Sequence, residues 1–217
     1  HAHGKKVIAG GPHPTSYKEK VRADHLVLGE FEGLAEFFIE DLLKGNMKKI
    51  YDEEDYLLDK KPSLHTTPVP RWDLFDLAKY SSLAIQFSRG CPFDCEFCDI
   101  TALFGREPRT KTTVQMIKEL DVIYNTRWRG SIFIVDDNFI GNKKEVRKLL
   151  PALKSWQEQH DYPFPLFTEA GIELGARSHS DILEGMVDAG FDQVFVGIES
   201  PDAEVLEKMN KKQNSKL

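Results

Sequence analysis

The sequence predicts an α/β protein of parallel strands in two parts: the tail of a doubly wound sheet over residues 1–45, and about four βα units of a parallel barrel over 82–217. Three observations predict it. Short apolar runs alternate with stretches of helical periodicity, the order that parallel sheets require. The polar and glycine-rich residues gather where each apolar run ends, as they do at the carboxyl ends of barrel strands. Between the two blocks, residues 46–81 change character, with the acidic run Asp52-Glu53-Glu54-Asp55 and then Pro62, Pro68 and Pro70, the composition of a linker.

Lys6-Val7-Ile8-Ala9 is a strand ended by Gly10-Gly11-Pro12, Tyr17 to Ala23 a short helix, and His25-Leu26-Val27-Leu28 a second strand closed by Gly29. Phe31, Leu34, Ala35, Phe38 and Leu42 recur at helical spacing, and Lys44-Gly45 supplies a basic last turn and a C-cap. Trp72, Leu74 and Phe75 anchor the linker to the block that follows. That block opens with a strand over Leu83–Ser88. Thr112 or Thr113 caps a helix whose Val114, Ile117, Leu120 and Tyr124 share a face, and Ser131–Val135 is the next strand. Asn142 caps a helix with Val146, Leu149, Leu150, Leu153 and Trp156 inward, kinked or restarted at Pro151. A strand at Leu166–Glu169, a helix over Ser180–Asp188, a strand at Gln193–Val196 and a helix opened by Ser200-Pro201 complete the pattern.

All three cysteines of the chain, Cys91, Cys95 and Cys98, fall in the loop after Leu83–Ser88, broken by Gly90 and Pro92. Soft sulfur ligands this close select an iron–sulfur cluster, zinc or copper(I). A structural zinc site is closed by four protein ligands, and His65 and His160 are remote in sequence. A cubic four-iron cluster bound by three cysteines leaves one iron open to a substrate or cofactor, so the count favours a catalytic cluster over an electron-transfer one. A zinc-binding interaction module or a fully ligated electron-transfer module is the reading outside enzymes.

The CxxxCxxC spacing, with Phe97 before the last cysteine, resembles the radical S-adenosylmethionine (SAM) enzymes, in which the open iron chelates SAM and electron injection yields a 5′-deoxyadenosyl radical. The chain from Leu83 to Gln213 is similar to the cobalamin-binding members, and most like the group that contains the hopanoid C2 methylase. The stretches Arg89–Ile100, Phe104–Arg109 and Val135–Phe139 carry that likeness. The resemblance implies the carboxyl-terminal part of a Rossmann-like cobalamin-binding domain followed by an incomplete radical SAM (β/α)6 partial TIM barrel. It also implies a [4Fe–4S] cluster on Cys91, Cys95 and Cys98, SAM and cobalamin as cofactors, and an electron donor such as ferredoxin or flavodoxin. The reaction implied is C-methylation of an unactivated carbon in a small-molecule or lipid substrate, with radical cyclisation or rearrangement as the rival within enzymes.

By the same resemblance, Phe97, Asp136, Asp137, Glu169, Gly197, Ile198 and Glu199 meet SAM, and Gly10, Gly11 and Pro12 lie against the nucleotide tail of the corrinoid. Each has a plainer alternative: Asp136-Asp137-Asn138 as a strand-end turn, Glu169 in a surface salt bridge, Gly197–Ser200 as a capping turn, Phe97 as a plug of the barrel mouth, Gly10-Gly11-Pro12 as a tight turn. The cobalt-ligating Asp-x-His-x-x-Gly motif is not found, and His1, His3 and His13 are not assigned that role.

A formal charge of −6 gives no footprint for a phosphate backbone, which argues against nucleic acid as a partner. No apolar run is long enough to span a bilayer, and grouped cysteines without a disulfide pattern suit a reducing cytoplasm. With no initiating methionine and an end close to a helical pattern, the chain reads as a fragment of something longer.

Overall fold

The structure is a computed structural model that describes residues 4–56 and 61–214; His1 and His3 lie outside the described residues. The chain divides into two compact units, 1–63 and 64–217.

In the first unit, strands β1 (Ile8–Gly10), β2 (His25–Leu28) and β3 (Ile50–Asp52) form a parallel sheet in that order. Helices α1 (Pro12–Ser16) and α2 (Ala35–Lys44) make the crossovers. Helix α2 stops at Gly45, whose φ of 71° is the left-handed conformation that costs glycine nothing. Val27, Leu34, Phe38 and Tyr51 form the small core, with the Tyr51 hydroxyl donating to Asp41 at 2.9 Å.

Two expectations change here. The helix begins at Pro12, directly after the glycine pair, and Tyr17–Ala23 contributes only a 3₁₀ turn at Lys18–Lys20. Residues 50–52, expected in the linker, form strand β3, because Ile50-Tyr51 offers the apolar pair that β2 needs on its open edge. The acidic run then starts at the end of a strand: Asp52 caps a 3₁₀ turn, and Glu53 accepts from Glu30 N at 2.8 Å and pairs with Lys61.

In the second unit, β4 (Ser82–Ile85), β7 (Ser131–Ile134), β8 (Leu166–Ala170) and β9 (Phe191–Val196) form a parallel sheet in the order β4-β7-β8-β9. Consecutive neighbours joined by helices are the wall of a parallel barrel. Between β4 and β7 lie β5 (Ser88–Arg89), α3 (Ile100–Phe104), β6 (Arg109–Thr110) and α4 (Thr113–Asn125). Helices α5 (Lys143–Gln159), α6 (Ser180–Asp188) and α7 (Ala203–Lys208) follow the later strands. Leu83, Ile85, Ile132, Ile134 and Leu166 share one core with Met116, Leu120, Ile123, Leu149 and Leu153 of the helices. Alternation along each strand then turns Ala84, Phe133, Phe167 and Glu169 to the opposite face, where the Phe133 and Phe167 rings stack 4.8 Å apart.

The stretch 64–81 runs along this unit and is anchored to its core by Trp72; of the other expected anchors, Leu74 is 73% exposed and Phe75 is exposed. Leu64 and Trp72 are buried, and Gln115 Nε2 donates to the carbonyls of Leu64 and Thr67. Thr112 and Gln115 form a full capping box on α4. Met116, Leu120 and Ile123 are the most buried apolar residues of α4, and Ile117 and Tyr124 pack beside them; of the expected stripe, Val114 alone is turned out, 62% exposed. Helix α5 runs unbroken through Pro151, whose exposed ring places the lost hydrogen bond where water can satisfy the carbonyl. Helix α7 is capped by Asp202, with Ser200 capping Asp202 in turn, so the helix opens past Pro201.

Met116→Ala is expected to cost about 2–5 kcal/mol, the range for emptying a buried site, while Val114→Ala stays within about 0.5 kcal/mol. Urea unfolding midpoints of the two variants check the assignment of the α4 face.

Candidate active site at the barrel mouth

The cysteine loop is a closed excursion. Strands β5 and β6 pair antiparallel, Ser88 with Thr110 and Arg89 with Arg109, so residues 90–108 leave and return at one neck. Gly90 has a φ of 99°, and a Cβ there would lie 3.0–3.3 Å from the carbonyl oxygens of Gly105, Glu107 and Phe104, so only glycine passes through the neck. Within the loop, Cys91 N donates to Gly105 O at 3.3 Å and Cys98 N to Cys95 O at 3.1 Å.

Asp136 and Asp137 follow β7 and are pointed apart by strand alternation. Asp136 is 2% exposed. Its Oδ1 accepts from Phe87 N at 2.8 Å, and its Oδ2 from Ser88 N at 2.8 Å and Ser88 Oγ at 2.6 Å. Burial pushes its carboxyl up to about 7 against the pull of those three donors. Both oxygens of Asp136, expected at SAM, accept backbone N–H groups under the cysteine loop, and the side chain is not among those lining the cavity. Asp137 does line it, accepts from Gly90 N at 3.3 Å, and is also raised by burial.

The cavity, of about 530 Å³, is walled by Cys91, Cys95 and Cys98 on one side and by the ends of β7, β8 and β9 on the other. Of the expected residues, Phe97, Asp137, Glu169, Gly197 and Glu199 line it, and Ile198, 58% exposed, does not. Gly10, Gly11 and Pro12 lie in the first unit at the end of β1. Asn138, in the expected strand-end motif, lines it too, and so do Lys211 and Gln213, which no motif marks. Asn138 is buried and ties two strand ends by accepting from Gly171 N at 3.1 Å. Lys211 pairs with Glu199 and lies 5.6 Å from the Phe97 ring centroid. No local periodicity marks the last two, because they enter from a segment far along the chain.

All three thiols are free and half-buried. The Cys91 thiol is pushed up, chiefly by burial and further by the neighbouring thiols and Asp137, with the Phe93 N–H opposing. Among the described residues, no three His, Cys, Asp or Glu side chains are gathered closely enough to hold a single metal ion. A cubic cluster is gripped at separate corners, so three thiols spread along one cavity wall suit its donor set, and His160 is engaged in stacking on Trp156.

Comparison with known proteins gives the decisive observation: residues 85–216 match the Radical SAM superfamily. The chain belongs to the Radical SAM superfamily. Membership implies a [4Fe–4S] cluster and SAM as cofactors. An uncharacterized methyltransferase of Synechocystis sp. is 49% identical over 99% of this chain. The hopanoid C-2 methylase of Rhodopseudomonas palustris is 38% identical over 96% of it. The chain spans 39% of the length of each of these two relatives. A solved cobalamin-dependent SAM radical enzyme, OxsB, with aqua-cobalamin and SAM bound, aligns over 95% of this chain and 33% of its own length, with TM-score 0.72 and 19% identity. That likeness establishes the fold of this radical SAM chain. No helix among the described residues is long and apolar enough to cross a membrane.

Asp136→Asn places an amide NH₂ against a backbone N–H and is expected to destabilise the fold by roughly 1–3 kcal/mol. The native carboxyl, raised to about 7, keeps a proton that the unfolded chain releases near pH 4, so its contribution is fullest below that pH and is lost as pH rises to about 7. The stability advantage of wild type over Asp136→Asn therefore shrinks between pH 4 and pH 7, as urea unfolding at several pH values will read.

Proposed function

We propose that the full-length protein is a radical SAM methyltransferase that holds its cluster on Cys91, Cys95 and Cys98 and methylates an unactivated carbon of a small-molecule or lipid substrate, with cobalamin as methyl carrier. The observation that carries this reading is three half-buried thiols in a CxxxCxxC loop on one wall of a cavity otherwise built from the ends of parallel strands. When bound, the cluster and SAM supply an electron and the 5′-deoxyadenosyl radical, and cobalamin supplies the methyl group. The chain's own residues bind and orient. Asp137, Glu169 and Glu199 offer carboxylates to the ammonium and ribose of SAM, Phe97 and Gly197 give the adenine a flat wall, and the closed cysteine loop keeps bulk water from the thiols.

Residues 1–45 are read as the carboxyl-terminal part of a cobalamin-binding domain. Supporting this, Gly11 has a φ of 97° with no atom within 4 Å of where a Cβ would sit, leaving the backbone open to a ligand. The Thr15 hydroxyl braces the loop by donating to Gly11 O at 2.8 Å and accepting from Gly29 N at 2.9 Å. The names of the relatives as methyltransferases, and the cobalamin held by OxsB, favour the same reading. A ferredoxin or flavodoxin serves as electron donor, in the cytoplasm.

The complete protein, reconstituted anaerobically with iron and sulfide and reduced, should convert SAM to 5′-deoxyadenosine, and replacing any one of Cys91, Cys95 or Cys98 by Ala should abolish both cluster and product. A protein that binds zinc without sulfide sinks the proposal. With methyl-labelled SAM, label should reach the substrate through methylcobalamin; 5′-deoxyadenosine formed without methyl transfer points to cyclisation or rearrangement.

A further inference from the structure

The segment 209–214, which follows α7, is a strap across the cysteine loop. Met209 O accepts from Glu96 N at 3.0 Å, and Asn210 Nδ2 donates to Asp94 O at 2.5 Å. On the other side, Asn214 Nδ2 donates to the carbonyls of Gly197 and Ile198 at 2.8 and 3.0 Å, and Lys211 pairs with Glu199. The strap is thus pinned to the loop at one end and to the mouth of β9 at the other. Held between these pins, Gln213 points its amide Nε2 at the sulfur of Cys95, 3.5 Å away.

That contact has a chemical direction. A thiolate bound to a metal accepts hydrogen bonds and has none to give, so the N–H end of the amide is the one that faces it. An N–H on a cluster thiolate withdraws charge from the sulfur and favours the state that carries one more electron. The backbone N–H of Phe93 acts on Cys91 from within the loop itself, where no substitution at residue 93 short of proline removes it. Cys95 receives its own from a side chain 118 residues along the chain.

We propose that Gln213 is a positioning residue of the cluster: its side-chain N–H, carried by the strap, raises the reduction potential of the [4Fe–4S] centre through Cys95. The inference rests on the assignment of the three cysteines as cluster ligands. It goes further in naming a residue outside the cysteine motif that sets how readily the centre is reduced. Because the same strap holds the end of β9, the donor is tied to the strand end that walls the SAM cavity.

The test uses the complete protein reconstituted with iron and sulfide. In an EPR-monitored redox titration without SAM, Gln213→Leu should retain its iron and sulfide and shift the midpoint to more negative potential. Gln213→Glu, similar in size but lacking the donor and adding charge, should shift it further in the same direction. Wild type labelled with ¹⁵N at the glutamine side-chain amides should show ¹⁵N coupling to the reduced cluster by pulsed EPR. A purely structural role for Gln213 moves neither signal. Unchanged midpoints in cluster-replete variants overturn the proposal, and so does a wild-type cluster without ¹⁵N coupling. If both variants lose the cluster, the wild-type coupling alone decides. A wild-type protein that takes up no cluster overturns the ligand assignment as well, which separates the two failures.

Discussion

The carboxylate of Asp136 is the contact on which the barrel mouth depends. It joins two strands that are neighbours in the sheet but distant in sequence, by accepting two consecutive backbone N–H groups where β4 has ended and β5 begins. Those amides have lost their ladder partner because the chain is leaving the sheet, and a buried backbone donor without an acceptor is costly. A carboxylate is the side chain that can accept on both oxygens at once. The cost is desolvation, which holds the group near its protonated form. Three hydrogen bonds and the closure of the loop offset it.

With the neck fixed, the rest of the site follows as a sequence of shorter ties. Pairing of β5 with β6 closes the loop, Gly90 lets the chain turn beneath three carbonyl oxygens, and the capping box on α4 sets the direction in which the chain resumes. On the far wall, Asn138 links the ends of β7 and β8, and Glu169 O takes the Phe139 N–H at 2.9 Å. The thiols therefore sit on a loop held by backbone hydrogen bonds at its base and by the strap 209–214 at its tip. Such support is what keeps a first layer of ligands in a fixed geometry.

Much of this was legible in the sequence where the signal is local. The βα alternation, the Gly45 cap, the Thr112 and Asn142 caps and the cysteine spacing are all short-range patterns, and each matched an element or a shared wall. What escaped was set by tertiary pairing. Ile50-Tyr51 is too short to read as a strand until β2 offers an edge, and the acidic residues that follow disguised it as linker. On α4, Ile117, Leu120 and Tyr124 pack on the core as expected, while Val114, in the first turn beside the capping box, stays exposed and Met116 and Ile123 take the deepest places. Lys211 and Gln213 carry no pattern at all, since their partners are Glu199 and Cys95.

The paired aspartates show a signal that was present and unused. Ile132, Ile134 and Asp136 share one parity along the strand and are buried, while Phe133, Val135 and Asp137 share the other and face the concave side. Parity alone assigns one carboxylate to the interior and the other to the cavity. Asp137 is desolvated there, with the Arg89 charge opposing the rise, and Glu169 and Glu199 line the same cavity, where Lys211 pairs with Glu199. An excess of carboxylate in a partly dry cavity is relieved by a ligand that brings positive charge. SAM carries both a sulfonium and an ammonium, so a cavity lined by Asp137, Glu169 and Glu199 is complementary in charge to the cofactor of its family.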